Sequence, residues 1–367
     1  MAALPSLITF GSLTPLPSQD QILQLNGEYH RKASLLKPLI EAVRDLDSLW
    51  TEMTDQDPVL DSIDGKAAIR KLKGLSSGTV NEHFSDERRN ILIVPITVLN
   101  HVVQYLSFIE HIAVANHNCL IEIVAAKGGV QGLCAGLLSA QAVASARTVE
   151  DIVALSCTSL RLAFCIGAYV DADQMSNDGS AGSATLAVRW ADTRTLEDIQ
   201  QILQKHRNTY IAATRDERDI TITTPAEMAI GLREDLLRND INFLEIGLNG
   251  RYHTDRHADI PAKIIKACEG RLDPRFGNRE LVRSNFDGQI IPRHDAVRSV
   301  LESILVQPVR WYQTISTAAQ SIGKTDENSY ILSIGGDTTT QSMRETQHVV
   351  RVKSITSADS FHDLLSK

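Results

Sequence analysis

The segment GVQGLCAGLLSA (residues 129–140) constrains the path of the chain more than any other, because it places a cysteine between two glycines. The spacing Gly132-x-Cys134-x-Gly136 is the cysteine form of the Gly-x-Ser-x-Gly elbow, where a nucleophile occupies a sharp turn from a strand into a helix. Bulkier neighbours would clash in that turn, and the small residues that follow let the helix pack closely. The segment therefore predicts a strand, a tight turn at Cys134 and a buried helix.

The same segment also has a purely structural interpretation. Free cysteine is among the most often buried residue types, and a Gly-x-Cys-x-Gly spacing occurs by chance in many chains. If Cys134 is a nucleophile, backbone N–H groups and the dipole of the following helix should lower its pKa below the ~8.5 of a free cysteine. The N–H of Ala135 would then point at a developing oxyanion, and a second N–H would come from another loop, for which 11–13 is the candidate.

Composition limits the classes of function. The chain has 367 residues, 43% of them hydrophobic and 22% charged, with a net charge of −8, which is ordinary for a globular protein. The negative charge disfavours nucleic acid as a partner. The five cysteines show neither CxxC nor zinc-site spacing, so no disulfide framework and no metal is expected.

Targeting signals are not apparent in the sequence. The N-terminus lacks the positively charged leader of a signal peptide, and no uninterrupted apolar run reaches the ~18 residues of a membrane helix. We therefore expect a soluble, cytoplasmic protein with no membrane partner.

Apolar periodicity predicts the elements that surround the elbow. The expected elements are a strand at 6–10, helices at 21–53, 91–109, 148–171, 261–269 and 295–306, and a strand at 329–336. Residues 173–183 are rich in glycine, serine and aspartate and are typical of a linker.

Residues 184–248 carry an alternation of their own. The predicted order is strand 184–191, helix 195–206, strands 209–214 and 219–224, helix 225–238 and strand 242–248. The order βαββαβ is that of a ferredoxin-like unit. Because helix and strand patterns resume afterwards, the sequence predicts an α/β protein in which this unit interrupts a larger domain.

A nucleophilic cysteine needs a base, and His253 in LNGRYHTDRH (residues 248–257) directly follows the last strand of the inserted unit. A lone histidine is more often an ordinary surface or core residue. His257, four residues further on, would be its helical neighbour.

Four motifs together carry a family resemblance. GLCAGLLSA, GRYH about 120 positions later, FGSLT near the N-terminus and PVRW before a glycine-ended strand resemble the starter-unit acyl-carrier-protein transacylase domain of fungal non-reducing polyketide synthases. That family is a branch of the malonyl-transacylase fold, and the resemblance runs from about residue 6 to 337. It implies a hydrolase-like large domain (1–180 with 250–355), a ferredoxin-like small subdomain (181–249), a site in the cleft between them and a linker that starts in 356–367.

The resemblance also implies roles for single residues. By position, Cys134 resembles the nucleophile and His253 the base, and FGSLT places the second oxyanion donor at the backbone N–H of Leu13 beside that of Ala135. Many relatives have a glutamine at the Leu13 position, but only the N–H is needed. Transacylases of this fold orient the histidine through a backbone carbonyl, which here would lie in the loop before Pro308. Asp255, two residues from His253, is not a clear third member.

The acyl group implied by the resemblance is neutral. Extender transacylases hold the malonyl carboxylate with an arginine that, aligned on Gly167, corresponds to Ile166 in the acyl pocket of this chain. A carboxylate facing Ile166 would be buried without a partner. A different alignment would place Arg161 in the pocket, although its ordinary interpretation is a surface arginine on an amphipathic helix.

The implied activity is that of an acyltransferase that starts polyketide synthesis. No cofactor would be bound permanently, since coenzyme A or a phosphopantetheine thioester carries the substrate. Cys134 would take the acyl group from an acyl-CoA or from the acyl carrier protein of a partner synthase and pass it to the phosphopantetheine thiol of an acyl carrier protein. Residues 251–298 hold ten Lys/Arg against seven Asp/Glu and are a candidate docking face for such an acidic partner.

Two alternatives remain at this point. A cysteine thioesterase or hydrolase of the α/β class would release free acid from acyl-CoA, and a non-catalytic carrier-protein docking domain would bind without turnover.

Overall fold

The computed structural model describes residues 4–14, 16–77, 88–112, 116–175, 182–191, 195–279, 281–320, 322, 330–336 and 351–355. In this part of the chain the strands are β1 (Pro5–Phe10), β2 (Gly129–Gly132), β3 (Ser183–Arg189), β4 (Tyr210–Asp216), β5 (Asp219–Pro225), β6 (Asn242–Glu245), β7 (Val309–Arg310), β8 (Tyr330–Ile334) and β9 (Arg351–Ile355).

The helices of the same residues are α1 (Gln19–Arg31), α2 (Lys37–Gln56), α3 (Gly65–Ser77), α4 (Asn90–His111), α5 (His117–Ala125), α6 (Gly136–Ser145), α7 (Val149–Met175), α8 (Leu196–Leu203), α9 (Ala229–Arg238), α10 (Ile260–Ala267), α11 (Ala296–Leu305) and α12 (Trp311–Gln320). Short 3₁₀ turns lie at Pro58–Ser62, Ala226–Met228, Asp255–His257 and Arg293–Asp295.

The first sheet is parallel and has the strand order β2-β1-β8-β9. All six residues of β1 are buried, and so are all four of β2 and all five of β8. Strands buried on both faces are expected in a parallel sheet that helices cover on either side. The predicted strands at 6–10 and 329–336 correspond to β1 and β8.

The predicted helices are present, with one of them divided. The segment 21–53 forms two helices, α1 and α2, and the second begins at Lys37 with Pro38 in its first turn. Proline has no N–H to bond back into a preceding turn and its ring disfavours continuation, so a new helix starts there. Pro95 lies within the first two turns of α4. Helices α3, α5 and α12 were not predicted.

The second sheet has the order β6-β3-β5-β4-β7, in which every neighbouring pair is antiparallel except β4 with β7. Its first four strands alternate with α8 and α9 in the predicted order βαββαβ. On β3, Leu186 and Val188 lie in the apolar core that these helices cover. Thr185 and Ala187, which alternate with these two residues along the strand, point to the other face of the sheet.

Strand β7 joins the two halves of the molecule. It comes from the chain well after the βαββαβ unit and pairs with β4 through the register Ala213↔Val309 and Thr214↔Arg310. The fold class is therefore the predicted α/β arrangement of two sheets, with the second sheet extended by a strand that sequence patterning missed. A strand of two residues has no periodicity to detect.

Two helices correct an expectation about membranes. By length and composition alone, α4 and α7 would be long and apolar enough to cross a bilayer. In the structure 94% and 89% of their most apolar windows are buried inside the protein, which is the signature of core helices. Helices long and apolar enough to span a membrane can therefore be missed when only uninterrupted apolar runs are sought.

The predicted domain bounds, 1–180 with 250–355 and 181–249, stay a prediction. Residues 356–367, expected to begin a linker, and most of the expected linker at 173–183 lie outside the described residues.

Candidate active site

Cys134 lies in the turn between β2 and α6, as the glycine spacing predicted. Its backbone has φ 52°, the left-handed region that a non-glycine residue seldom adopts. Neighbouring backbone atoms leave no room for a side chain at either flanking glycine. A Cβ on Gly132 would lie 2.3 Å from the carbonyl carbon of Gly136, and a Cβ on Gly136 would lie 2.4 Å from the carbonyl oxygens of Phe10 and Gly11.

Asn285 holds this turn from the side and was not foreseen from the sequence. Its side-chain Oδ1 accepts a hydrogen bond from the N–H of Cys134 at 2.8 Å, and its Nδ2 donates to the carbonyl of Gly132 at 2.8 Å. Asn285 is fully buried. A single asparagine in a loop carries no motif, so only the folded chain shows that it meets the elbow 151 residues earlier in the sequence.

His253 reaches Cys134, whereas His257 does not. The Nε2 of His253 lies 3.2 Å from the Sγ of Cys134. Its Nδ1 lies 3.0 Å from the carbonyl oxygen of Gln307, directly before Pro308, where the family resemblance implied an orienting carbonyl. His257 instead bonds the carbonyl of Arg251 at 2.8 Å.

The partner of Nδ1 decides which ring nitrogen of His253 carries the proton. A carbonyl oxygen can only accept, so Nδ1 is the protonated nitrogen of the neutral ring and donates to Gln307. Nε2 is then the free base, and it is the nitrogen that faces the thiol. Asp255 is exposed, and in the described part of the chain no carboxylate bonds Nδ1.

The backbone of His253 is also in the left-handed region, with φ 58°, and its neighbours hold it there. The hydroxyl of Tyr252 donates to Asn90 Oδ1 at 2.7 Å, and the hydroxyl of Tyr210 on β4 donates to the carbonyl of Tyr252 at 2.8 Å. The N–H of Thr254 donates to the last residue of α11 at 2.9 Å. Three separate elements therefore position the loop that carries the imidazole.

Asp171 anchors this arrangement in the core. Its two carboxylate oxygens accept from the backbone N–H groups of Asn90 and Ile91 at 2.9 Å each, at the N-terminus of α4. One of them also accepts from the Asn90 side chain at 2.8 Å. A carboxylate at a helix N-terminus satisfies N–H groups that have no partner within the helix.

Burial makes both members of the Cys134–His253 pair neutral. It raises the pKa of the Cys134 thiol to about 12, with only a partial offset from the N–H of Ala135. It lowers the pKa of His253 to about 4, again against hydrogen bonds to backbone carbonyls, of which that to Gln307 is the largest. The expectation of a lowered thiol pKa is wrong, because the loss of water costs a thiolate more than the helix terminus returns.

A cavity of about 420 Å³ opens beside Cys134 and His253 between the two sheets. The loop 12–14, including the almost fully buried Leu13, forms one wall, and the second sheet forms the other. From that sheet the cavity is lined by Thr185 and Ala187 of β3, Ala212, Ala213 and Arg215 of β4, Thr221 and Thr223 of β5, and Leu244 and Glu245 of β6. The site therefore lies in the cleft between the two sheets.

The structure brings some of the predicted site residues to this cavity and not others. Leu13 and Cys134 line it, and the N–H of Ala135 adjoins the thiol. Ile166, the expected acyl-pocket residue, is fully buried in α7 and is not among the residues that line the cavity. Arg161 does not line it either, because it pairs with Asp45 instead.

Charged groups at the cavity are paired. Arg215 bonds Asp219 through Nε at 2.8 Å, and Glu245 meets Arg233 at 2.7 Å. Within the described ranges, no group of three or more His, Cys, Asp or Glu side chains is arranged to hold a metal ion. The chemistry available at this site is that of a thiol, an imidazole and backbone N–H groups.

Comparison with known proteins shows the family to which the chain is related. The family model described as "Starter unit:ACP transacylase in aflatoxin biosynthesis" matches residues 19–253. Methylphloroacetophenone synthase of Cladonia uncialis is 41% identical over 354 residues, which are 96% of this chain and 14% of that protein. The chain thus spans about a seventh of the length of this relative.

Solved structures share the fold at low identity. Malonyl-CoA:acyl carrier protein transacylase of Helicobacter pylori superposes with a TM-score of 0.61 at 13% identity, covering 100% of this chain and 98% of that one. A malonyl-transacylase in complex with its type II polyketide synthase acyl-carrier protein gives a TM-score of 0.59 at 15% identity, with 98% of both chains covered. The two-sheet arrangement is therefore the malonyl-transacylase fold.

The elbow glycines generate a stability prediction. Gly136→Ala should destabilise the protein by about 2 kcal/mol or more, because the added Cβ would overlap the backbone carbonyls of Phe10 and Gly11. These backbone groups cannot rotate away as a flexible side chain could. Gly27→Ala in α1 is the matched control, since nothing lies within 4 Å of its Cβ, and it should be neutral or stabilise by up to ~1 kcal/mol. Urea unfolding measures both, and equal effects would show that the contact at Gly136 is not required.

Proposed function

The chain belongs to the starter unit:ACP transacylase family, and we propose that it is an acyltransferase that loads a starter acyl group onto an acyl carrier protein through an acyl-cysteine on Cys134. The observation that carries this proposal is the 3.2 Å approach of the His253 Nε2 to the Cys134 Sγ, beside a cavity that is lined by the second sheet and by the loops that follow β1 and β2. The tautomer of His253 supports it, since the nitrogen facing the thiol is the one that can accept a proton.

The first step forms the acyl-enzyme. As Sγ attacks the carbonyl carbon of the acyl thioester, His253 Nε2 accepts the thiol proton, and negative charge develops on the carbonyl oxygen. The backbone N–H groups of Leu13 and Ala135 are the proposed donors to that oxygen. The bond to the leaving sulfur then breaks, and His253 returns the proton to the departing thiolate.

The second step reverses the first with a different thiol. The phosphopantetheine thiol of a carrier protein gives its proton to His253 and attacks the acyl-cysteine, and Cys134 leaves and regains its proton. Exchange between two thioesters is close to thermoneutral, so an acyl-cysteine stays a good donor. Burial of Cys134 and His253 excludes water, which would otherwise hydrolyse the intermediate.

A neutral resting pair fits proton transfer during attack better than a preformed ion pair. A thiol with a pKa of about 12 beside an imidazole with a pKa of about 4 keeps its proton until a substrate carbonyl draws on the sulfur. His253 then acts as a general base rather than as the stable counter-ion of a thiolate.

The cargo proposed is a neutral acyl group. Arg215, the cation that lines the cavity within the described part of the chain, is paired with Asp219, and the His253 imidazole is uncharged. A carboxylate on the acyl chain would therefore enter a cavity whose cation, Arg215, is already balanced by Asp219. Ile166 is not part of this site, since it does not line the cavity.

The proposed partners are an acyl-CoA or acyl carrier protein as donor and an acyl carrier protein as acceptor, with coenzyme A or phosphopantetheine as the substrate carrier. Several cations of the expected docking face are neutralised by acidic partners, as Arg251 is by Asp173 and Arg275 is by Asp273. Docking through 251–298, the start of polyketide synthesis and a cytoplasmic location stay predictions.

Removal of the proposed nucleophile tests the assignment. Cys134→Ala should abolish covalent labelling by acetyl-CoA or hexanoyl-CoA, and His253→Ala should slow it by ~10²-fold or more, because the general base is lost. Cys157→Ala is the matched control, since Cys157 is another buried free cysteine and should be dispensable. Intact-protein mass spectrometry reads the acyl adduct, and an adduct that persists in Cys134→Ala would overturn the role of Cys134.

The cargo is tested with a panel of thioesters. Acetyl-CoA and hexanoyl-CoA should acylate the protein at least ~10-fold faster than malonyl-CoA, because the malonyl carboxylate would be desolvated without a partner. Competition between two thioesters in one reaction, read by the masses of the adducts, removes differences in protein quality. Equal loading by malonyl-CoA contradicts a neutral cargo.

The pH dependence separates general-base attack from attack by a free thiolate. Protonation of His253 removes the base, so single-turnover acylation should fall as the pH drops through about 4 and should be nearly flat from pH 6 to 9. A thiol pKa of about 12 adds no rise near neutrality. An acylation rate that climbs tenfold per pH unit up to a plateau near pH 8.5 would instead show a free thiolate.

A further inference from the structure

We propose that Asn285 is a positioning residue for acyl transfer, which fixes the turn carrying Cys134 through its side chain and ties that turn to the loop orienting His253 through its backbone. The inference rests on the acyl-transfer function proposed above and extends it to a residue outside the reacting pair.

The side chain of Asn285 matches the turn atom for atom. Its Oδ1 accepts from the N–H of Cys134 and its Nδ2 donates to the carbonyl of Gly132, each at 2.8 Å. The two partners fix the orientation of the amide, because an N–H can only donate and a carbonyl can only accept. No aspartate can replace it at neutral pH, since a carboxylate has no donor for Gly132.

The turn needs such a restraint because it is strained. Cys134 has φ 52°, and a non-glycine residue persists in that region only where its surroundings over-determine it. The Asn285 amide spans the residues on either side of Leu133, so it holds the strand end and the nucleophile in one geometry. The 3.2 Å separation of Sγ and Nε2 depends on that geometry.

Asn285 also decides which N–H groups remain for the substrate. The N–H of Cys134 is engaged by Oδ1 and cannot face a developing oxyanion. The donors left for the substrate are then the N–H of Ala135 and, from the loop after β1, that of Leu13.

The backbone of Asn285 connects the same residue to the base. Its carbonyl accepts from the N–H of Arg310 in β7 at 2.6 Å. Arg310 lies three residues after Gln307, whose carbonyl holds His253 Nδ1. The preceding carbonyl, that of Ser284, accepts from the hydroxyl of the buried Thr314 at 3.0 Å. One residue is therefore bonded on one side to the elbow and on the other to the segment that orients the imidazole.

Asn285→Asp tests the proposal with almost no change in shape. At neutral pH the carboxylate cannot donate to Gly132, and it places a charge beside the thiol. Single-turnover acylation by acetyl-CoA should therefore slow at least tenfold. The KM for acetyl-CoA should stay within about twofold of that of the unchanged protein. Alkylation of Cys134 by iodoacetamide should slow in parallel. As the pH falls, protonation of the introduced carboxylate restores a donor, so both rates should recover toward those of the unchanged protein.

Gln131→Glu is the matched control. Gln131 is a buried amide on β2 whose Oε1 accepts from the N–H of Arg283 at 2.9 Å and whose Nε2 donates to the carbonyl of Gly128 at 3.2 Å. It undergoes the same amide-to-carboxylate change near the elbow without touching Cys134. Acylation and alkylation should both stay within about twofold of the unchanged protein.

The outcomes separate this proposal from the proposed function. If the unchanged protein is not acylated, the acyl-transfer function fails, yet iodoacetamide still reports whether Asn285 controls Cys134. Unchanged rates in Asn285→Asp, a loss without recovery at acid pH, or an equal loss in Gln131→Glu would overturn the positioning role. If Asn285→Asp does not fold, Thr314→Val loosens the Asn285 segment from behind and should slow acylation about threefold, and an unchanged rate there would also overturn it.

Discussion

The left-handed backbone of Cys134 is the constraint on which the site depends. A strand that ends in such a turn must be followed at once by a helix, and the helix can approach only where Gly132 and Gly136 leave room for backbone carbonyls. The strain persists because buried groups on several elements hold it, among them the Asn285 amide. Backbone geometry thus sets the position of Cys134, the proposed nucleophile.

The proposed reacting pair, Cys134 and His253, is assembled from distant parts of the chain. Cys134 follows a strand of the first sheet, whereas His253 follows the second sheet and is oriented by Gln307 from a third segment. Tyr210 on β4 reaches the loop of His253 directly. Strand β7, which follows Gln307, pairs with β4. The histidine is therefore attached to the second sheet, and a movement between the sheets would change its distance from Cys134.

Burial sets the electrostatics of the site more strongly than the helix terminus does. The N–H of Ala135 acts to lower the pKa of the thiol, but removal of water raises it further, and the same loss of water lowers the pKa of His253. The loss of water keeps both side chains neutral, and in the proposed mechanism it would also protect an acyl-cysteine from hydrolysis. In the proposed mechanism, exclusion of water and general-base attack by His253 both follow from the burial of the site.

The sequence by itself determined the two-sheet α/β class, the βαββαβ unit, the elbow at Cys134 and the histidine that reaches it, because these depend on local periodicity, glycine spacing and motif order. The carbonyl before Pro308 that orients His253 was implied by the family resemblance and not by residue spacing. Only the tertiary structure decided three features of the fold, namely the break of 21–53 into α1 and α2, the short strand β7 and the burial of α4 and α7. It also decided three features of the site, namely the neutral state of Cys134, the position of Ile166 outside the cavity and the bond of Asn285 to the elbow. Each of these depends on which surfaces lose water and which distant backbone groups meet, and neither quantity is encoded in the spacing of neighbouring residues.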